Sequence, residues 1–273
     1  MDQQVSTHRI EERAGTVVKR YRSWERGEPQ HEWRALTLLA EHAPGLAPLP
    51  LEFVTDPPPP VVVMSRLSGV PLRGQVVGSA QVVEMARAIN ELHTAIPSHV
   101  LDSLPPSSWN PAAAVAKART WSAKETRSRA GWSLAVAQAF GVGARWVDDH
   151  GLDAIVGAPS EPVFGLADGN LANYLWDGTR VRLVDFEDSG RSDRCFELAE
   201  LVEHPSMWVD SHIDVPALLA CVELPRAEER RFLAFRRVLA FLWLVMLLPG
   251  NEGHRRNPPG ALESQARHVL SLV

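Results

Sequence analysis

The sequence predicts an α+β fold, in which a small β-rich lobe precedes a larger helical lobe. Short apolar runs separated by turn residues fill about the first 66 positions, whereas helical periodicity dominates from there to residue 273. Hydrophobic residues make up 45% and charged residues 22% of the chain, which suits a globular protein with a sizeable core. We therefore predict an N-terminal β-rich lobe at 1–66 and a mainly helical C-terminal lobe at 67–273.

Strand-like runs and one helix account for the first lobe. A hairpin is predicted for RIEER and TVVKRY, which flank the turn dipeptide Ala14-Gly15. A helix is predicted for EPQHEWRALTLLAEH, because its apolar residues recur at helical spacing and a proline lies in its first turn. Two more strands, joined by a proline-rich loop, are predicted for PLPLEFV and PVVVMSRL.

The second lobe is predicted to be helical apart from one β-hairpin. The hairpin signal is Asp177-Gly178, a dipeptide typical of tight turns, between the apolar-rich runs NYLW and TRVRLVDF. Helical periodicity predicts helices at 78–94, 111–129, 131–150, 194–204, 214–222, 226–248 and 260–272. The lobe would therefore contain a single β interruption within a helical body.

Charge, cysteine content and hydropathy argue against several partners. A net charge of -5 does not suit a protein that binds nucleic acid. Cys195 and Cys221 are too few for a disulfide framework, so we expect a reducing, cytoplasmic setting. The N-terminus is too polar for a signal peptide, and the apolar run at 238–248 is far shorter than the roughly 20 residues of a membrane span. We therefore expect no nucleic-acid partner and no membrane.

Oxygen-bearing side chains are expected to meet at the open end of the predicted hairpin. Pairing about Asp177-Gly178 brings the chain entering at Asn173 beside the chain leaving at Asp185, and Asp168 lies in the loop just upstream. Carboxylate and amide oxygens suit Mg²⁺, and a third group that does not bind the metal can serve as a base. Because each residue type is also common in turns and caps, a structural role is the alternative for any one of them.

These motifs resemble those of a known family. The segments DGNLAN and LVDFED are similar to the catalytic loop and metal-binding segment of the protein-kinase-like superfamily, and more closely of the aminoglycoside phosphotransferase and choline kinase family. The resemblance implies a bilobal protein-kinase-like fold with a shortened small lobe. It also implies that Asp168 is the catalytic residue, that Asn173 and Asp185 bind Mg²⁺, and that ATP or GTP is the phosphate donor.

A lysine and a glutamate in the first lobe are candidates for nucleotide binding. Lys19 ends the strand run TVVK and is one of only three lysines in the chain. On a helical wheel Glu32 lies between Leu36 and Leu39, in the middle of the apolar face, where a carboxylate needs a positive partner. The resemblance implies that Lys19 contacts the nucleotide phosphates and that Glu32 holds Lys19. Glu28 is the alternative partner, and a position at the helix rim is the alternative for Glu32.

The resemblance also identifies a connector between the lobes and two departures from the family pattern. In the connector, backbone groups of Met64, Ser65, Arg66 and Leu67 would hydrogen-bond the nucleotide base, by analogy with the fold. The family usually has a histidine two residues before its catalytic aspartate, whereas this chain has Leu166. In addition, no glycine-rich loop precedes the strand lysine.

The predicted function is transfer of a phosphoryl group to a small-molecule hydroxyl, with an antibiotic such as an aminoglycoside as the expected acceptor. The acceptor is expected between the catalytic loop and the helices at 109–150 and beyond 194. Acidic residues that would suit a polycation are frequent there, although solvated helix faces are the alternative for them. They are Asp148, Asp149, Asp153, Glu197, Glu200 and Glu203. The alternatives are a kinase of a non-antibiotic metabolite, a catalytically reduced nucleotide-binding protein, and a helical scaffold in which the motif is accidental.

Overall fold

The computed structural model describes residues 8–125 and 131–273. Within these residues a small antiparallel sheet with one helix comes first and a helical body with short strands follows, which confirms the predicted α+β class. None of the described helices combines the length and the apolar character that crossing a lipid bilayer requires.

The small sheet contains the predicted hairpin and the two later strands. Its elements are β1 (Arg9–Arg13), β2 (Thr16–Arg20), α1 (Glu28–His42), β3 (Pro50–Val54) and β4 (Val61–Ser65). The described strands pair antiparallel in the order β1-β2-β4-β3, so β2 is an interior strand in which Lys19 pairs with Val62. Gly15 has a φ of 78°, a left-handed conformation that lets the chain reverse tightly between β1 and β2.

The apolar face of α1 packs against this sheet. Leu36 and Leu39 are buried on that face, and Glu32 lies with them at 1% exposure, as the helical wheel predicts. Helix α1 contacts both β3 and β4. This packing brings a carboxylate into the interior of the small sheet region, beside the lysine of β2.

The helical body follows the predicted periodicity closely. Its helices are α2 (Ser79–Ala95), α3 (Ser98–Leu101), α4 (Pro111–Glu125), α5 (Leu134–Asp148), α6 (His150–Gly157), α7 (Arg194–Glu203), α8 (Val215–Val222), α9 (Glu229–Met246), α10 (Glu252–Arg256) and α11 (Ala261–Ser271). Helix α9 contains most of the longest apolar run of the sequence, and it packs against α4, α5, α7 and α11. Burial of this run at the centre of the helical body explains its hydrophobicity.

The predicted helix at 131–150 is interrupted near its end. Helix α5 ends at Asp148, and α6 begins at His150. The break occurs because the carboxylate of Asp149 accepts a hydrogen bond from the N–H of Gly151, 2.8 Å away, and so caps the new helix.

Other helix boundaries differ from the prediction by a few residues. The segment at 226–248 begins as a 3₁₀ turn at Arg226–Glu228 before α9 starts. The end of the predicted 111–129 helix, at 126–129, lies outside the described residues. Helices α3 and α10 are too short to show the periodicity on which the prediction depends.

The helical body also holds more β structure than one hairpin. Its strands are β5 (Val70–Pro71), β6 (Pro162–Gly165), β7 (Tyr174–Trp176), β8 (Val181–Leu183) and β9 (Gly190–Asp193). The predicted hairpin is β7–β8, with β5 beside β7, and β6 pairs antiparallel with β9. The prediction of a single β interruption is therefore wrong, because the three further strands are short and contain proline or glycine, so they give no alternating pattern.

The hairpin turn lies one residue later than the sequence predicts. The N–H of Asp177 bonds the carbonyl of Arg180 at 3.1 Å, which makes Gly178-Thr179 the turn dipeptide. Oδ1 of Asp177 accepts from the N–H groups of Thr179 and Arg180 at 2.9 and 2.8 Å. The aspartate therefore ends the strand and fixes the turn through its side chain.

Candidate active site

Segments next to strands β6, β7 and β8 carry the polar residues at the open end of the hairpin. Strand β6 ends at Gly165 and leads into the loop with Asp168, β7 starts directly after Asn173, and β8 leads to Asp185. The N–H of Val184 bonds the carbonyl of Asn173 at 3.0 Å, which holds the start of β7 beside the end of β8. The sheet register thus places the predicted base and the two predicted metal ligands at one location.

Asp168 is half-buried and held by two hydrogen bonds. Its Oδ1 accepts from the N–H of Asn170 at 3.0 Å, and its Oδ2 accepts from Nδ2 of Asn173 at 2.9 Å. Burial, followed by the negative charge of Asp185, raises the pKa of Asp168 to about 6. At neutral pH the carboxyl group is therefore mainly ionised and able to accept a proton.

The carboxylate of Glu197 on α7 supports the loop that carries Asp168. One oxygen accepts from the N–H of Ala167 at 3.0 Å, and the other accepts from the hydroxyl of Ser192 at 2.5 Å. The side chain of Leu166, which precedes Ala167, is itself buried. Burial raises the pKa of Glu197, although the hydrogen bonds from Ser192 and Ala167 oppose the rise. The loop is therefore held through its backbone, without a histidine side chain.

The loop before β7 lies directly on helix α7. A Cβ on Gly169 would overlap the carbonyl of Glu200 and lie 2.7 Å from Cα of Leu201, so no side chain fits there. Ala167 and Asp185 have φ angles of 60° and 68°, in the left-handed region that residues other than glycine rarely adopt. Such conformations cost on the order of 1–2 kcal/mol each and are found preferentially at functional sites.

Carboxylates from both parts of the chain enclose Lys19. Its Nζ lies 2.8 Å from Oε2 of Glu32 and also contacts Asp185. The predicted ion pair of Lys19 and Glu32 is confirmed, while the alternative partner Glu28 pairs with Arg26 at 2.8 Å. Burial lowers the pKa of Lys19, but the charges of Glu32 and Asp185 outweigh burial and raise it well above its ordinary value. Lys19 is therefore a permanently charged cation in the interior.

Glu187 is a further carboxylate at this lysine, and sequence reasoning did not single it out. Its Oε2 lies 2.7 Å from Nζ of Lys19 and 3.2 Å from Nε2 of His8. Oxygen atoms of Glu32, Asp185 and Glu187 lie within 4.8 Å of one another. The available signal is the sequence DFE, in which the glutamate follows the predicted metal ligand by two residues.

The connector residues differ in whether their backbone N–H groups are already hydrogen-bonded. The N–H of Ser65 donates to the carbonyl of Leu49, and the N–H of Arg66 donates to the carbonyl of Gly15, both at 2.9 Å. Within the described residues the N–H of Leu67 makes no backbone hydrogen bond. Of the predicted base-binding amides, that of Leu67 is therefore the one that remains available, and Met64 lies within strand β4.

The donor set at the hairpin end fits Mg²⁺. Asn173 uses its amide N–H on Asp168, which leaves its Oδ1 free to act as a ligand. Lys19 contacts Oδ1 of Asp185, and no described side chain bonds Oδ2. A carboxylate oxygen and an amide oxygen are hard ligands of the kind that Mg²⁺ takes together with phosphate oxygens and water. The metal-binding role of both residues stays a prediction.

A cavity of about 450 Å³ lies beside Asp168, in the region where the sequence predicts the acceptor. This volume is within the usual range of small-molecule sites. Its aromatic lining, from Trp109, Trp121 and Trp243, is the part that sequence reasoning missed or left undecided. No sequence signal identifies these residues, since tryptophans at helical spacing are more often core residues than ligand contacts.

Most of the acidic residues considered as acceptor ligands have other roles. Glu197 supports the catalytic loop, and the buried carboxylate of Glu203 accepts from Nε of Arg236 at 2.6 Å. Asp149 caps helix α6. Of the six acidic residues, Glu200 alone is part of the described cavity lining. These six residues therefore do not form an acidic lining in the described cavity.

The fold is shared with solved kinase structures. A choline/ethanolamine kinase family protein from Mesorhizobium loti has a TM-score of 0.61 and 16% identity, over 98% of this chain and 85% of that chain. A spectinomycin phosphotransferase in complex with ADP and spectinomycin has a TM-score of 0.65 and 9% identity, over 99% and 87%. A choline kinase from Streptococcus pneumoniae has a TM-score of 0.63 and 12% identity, over 100% and 91%. These similarities confirm the predicted protein-kinase-like fold.

Sequence comparison identifies the family. No curated protein matches the chain significantly. The family model described as the phosphotransferase enzyme family matches residues 4–220, which include the small sheet, the catalytic loop and the segment that follows it. Because this match spans most of the chain, the protein belongs to the phosphotransferase enzyme family.

Proposed function

We propose that this protein transfers the γ-phosphoryl group of a nucleoside triphosphate, ATP or GTP, to a hydroxyl group of a small molecule. One observation carries the proposal: Asp168 borders a cavity of about 450 Å³ and is bonded to Asn173, close to the Lys19–Asp185 pair. A base, a phosphate-binding cation and oxygen ligands for a metal are thereby gathered at one place.

Asp168 is the proposed base. It would accept the proton of the acceptor hydroxyl as that oxygen attacks the γ-phosphorus and the bond to the leaving nucleoside diphosphate breaks. A pKa of about 6 leaves the carboxylate ionised at neutral pH. The hydrogen bonds from Asn170 and Asn173 fix its orientation, so that the hydroxyl group is aligned before transfer.

Charged groups around Lys19 are proposed to bind the phosphates. Lys19 would contact the α- and β-phosphates, and Glu32 would hold the lysine in position through their 2.8 Å ion pair. Asn173 and Asp185 would bind Mg²⁺, which when bound supplies positive charge to the phosphate oxygens. The free N–H of Leu67 would hydrogen-bond the nucleotide base.

Two classes of acceptor are supported by similarity. The spectinomycin phosphotransferase supports an antibiotic such as an aminoglycoside, and the choline kinase supports a metabolite that is not an antibiotic. The cations Arg26 and Lys117 in the cavity lining offset its carboxylates, which makes a polycationic acceptor the less favourable of the two.

A catalytically reduced nucleotide-binding protein is the second candidate, and Leu166 is the observation that favours it. The leucine cannot make the hydrogen bonds that the family's histidine makes in the catalytic loop. The carboxylate of Glu197 nevertheless fixes the N–H of Ala167 at 3.0 Å, so the loop retains a polar support. We therefore favour an active phosphotransferase.

The decisive experiment is Asp168→Ala. Loss of the base is expected to lower turnover by about a hundredfold to ten-thousandfold. Consumption of ATP and GTP with Mg²⁺ is measured across aminoglycosides and hydroxyl-bearing metabolites, and a thermal shift with ATP and Mg²⁺ shows that the variant still binds nucleotide. Exposed Asp210→Ala, outside the cavity lining, is the matched control. Full turnover by Asp168→Ala would contradict the proposal, and nucleotide binding without turnover by the unmodified protein would support the reduced alternative.

A further inference from the structure

Aromatic side chains make up a large part of the cavity lining. Trp109 lies two residues before α4, Trp121 lies near the C-terminal end of α4, and Trp243 and Met246 come from α9. All four side chains are half-buried, so part of each remains open to the cavity or to solvent. Indole rings around this space suit a flat apolar body that packs between them.

Lys117 places a positive charge within this aromatic region. Its Nζ lies 5.1 Å from the ring centre of Trp109 and 4.6 Å from that of Trp121, within the range of a cation–π interaction. The side chain is exposed, and no carboxylate of the described residues forms an ion pair with it. The ammonium group is thus held at the cavity by two indole faces and is available to an anion.

The cavity carboxylates do not cancel this charge. Oε2 of Glu200 accepts from Nε1 of Trp109 at 2.9 Å. Burial, opposed by this hydrogen bond, raises the pKa of Glu200 to about 8, so the group is mainly neutral at neutral pH. Asp188 lies 3.7 Å from Arg26 and is thereby partly neutralised. Among the described residues Lys117 is therefore a cation of the lining without an ion-pair partner, and Asp168 is the ionised carboxylate of the same lining.

His204 contributes a neutral donor to the same lining. Its Nδ1 accepts from the N–H of Ser206 at 3.1 Å and lies 2.7 Å from the hydroxyl oxygen, which itself accepts from the N–H of Leu171. The hydroxyl hydrogen of Ser206 is therefore directed at Nδ1, and the ring hydrogen is on Nε2. Because burial lowers the pKa of His204 to about 3, the ring stays uncharged. It can donate to an acceptor oxygen without adding charge.

We propose that the acceptor is a hydroxyl compound with a flat apolar body and a carboxylate, and that Lys117 binds this carboxylate. The proposal rests on the phosphotransferase function and adds the chemical class of its acceptor. Trp121 and Trp243 pack against the apolar body, while the hydroxyl group reaches Asp168 in the same lining. Lys117 is thus a specificity-determining residue and takes no part in phosphoryl transfer.

Cationic acceptors meet an unfavourable environment in this cavity. The faces of Trp109 and Trp121, which would attract a quaternary ammonium group, already bind the ammonium of Lys117. A second cation at the same faces is repelled by the first. A polycation also requires several ionised carboxylates, and Glu200 is mainly protonated at neutral pH.

The test uses probes that share a benzyl alcohol and differ in the charge of the para substituent: para-(hydroxymethyl)benzoate (negative), its methyl ester (neutral) and para-(aminomethyl)benzyl alcohol (positive). Their Kd values are measured by calorimetry on the full chain without nucleotide. Because Lys117 is exposed, the carboxylate probe is expected to bind about fivefold more tightly than the ester, and the amine more weakly than the ester. In Lys117→Gln the preference for carboxylate over ester should fall to about twofold or less.

Two further variants separate charge recognition from a packing role. Lys124→Gln removes another exposed lysine from the same helix and should leave all Kd values unchanged, whereas Lys117→Arg should keep the preference for the carboxylate. Four results would each overturn the proposal. The unmodified protein could bind the carboxylate and the ester equally, bind the amine most tightly, or bind none of the probes, or Lys117→Gln could have no effect. A thermal shift with ATP and Mg²⁺ is recorded separately, so a failure of nucleotide binding is distinguished from a failure of acceptor recognition.

Discussion

The two ends of the active-site region are built on opposite principles. At the phosphate end, Lys19 is buried and contacts the carboxylates of Glu32, Asp185 and Glu187. At the proposed acceptor end, Lys117 is exposed and lies over the indole rings of Trp109 and Trp121. A buried cation with several anionic partners is held in one position, whereas an exposed cation over aromatic rings can bind different anions. Under the proposed function, phosphoryl transfer and the choice of acceptor would therefore depend on different kinds of contact within one site.

The largest expected difference comes from the same substitution at the two lysines. Lys19→Gln should lower kcat/KM by about a thousandfold, because it removes a charge that stabilises the transferring phosphates. Lys117→Gln should change kcat/KM for a preferred acceptor by only about fivefold. Steady-state kinetics on both variants, with circular dichroism to confirm folding, checks this. Similar losses at the two positions would contradict the division between the ends.

Glu197 offers a second test, because it bonds the backbone of the loop that carries Asp168 and does not itself line the described cavity. Glu197→Ala should lower kcat by about a hundredfold and leave nucleotide Kd unchanged, since the loop loses the acceptor for the N–H of Ala167. Glu197→Gln keeps one oxygen acceptor and should recover most of the activity. If Glu197 had a purely structural role, Glu197→Ala would lower the melting temperature and would not lower kcat while leaving the nucleotide Kd unchanged.

The smallest expected effect is on the pH dependence of stability, and it tests whether Glu200 is protonated in the folded protein. The pKa of Glu200 is raised from 4.5 to about 8 by burial, so the folded protein holds a proton that the unfolded chain releases above about pH 4.5. This site therefore lowers stability as pH rises from about 4.5 to about 8. Glu200→Gln should therefore gain stability relative to the unmodified protein as pH rises over that range.

The matched control for this prediction is Glu203→Gln, one turn further along α7. Its carboxylate pairs with Arg236 at 2.6 Å and with His268 at 2.5 Å, so the substitution should destabilise the protein. Denaturant unfolding of both variants at pH 5 and pH 8 checks the signs. A Glu200→Gln variant whose relative stability does not change with pH would show that Glu200 is ionised throughout.

The phosphate end could largely be predicted from the sequence. Spacing and the tight turn place Asp168, Asn173 and Asp185 together, and the wheel position of Glu32 requires a cation such as Lys19. These predictions succeed because a buried charge without a partner is so costly that few arrangements are acceptable. The structure confirms the Lys19–Glu32 ion pair, while the chemical roles of these residues stay predictions.

The acceptor end could not be predicted in the same way. Trp121 and Trp243 lie on different helices and meet only through the packing of α4 against α9, which has no local sequence signal. The roles of the acidic residues could not be predicted either. Glu197 and Glu200 are both buried on helix α7, but Glu197 accepts a hydrogen bond from Ala167 and Glu200 accepts one from Trp109. Hydrophobic periodicity reports which face of a helix is buried, and it does not report which residues border a cavity.

The close approach of Gly169 to helix α7 has a consequence for mutational tolerance. The residue carries no functional group, yet even alanine would overlap the carbonyl of Glu200. A saturation scan selected for activity should therefore find this position about as restricted as Asp168 beside it. Related chains with a larger residue here would need the loop and the helix farther apart, so this single position reports how closely the catalytic loop lies on its supporting helix.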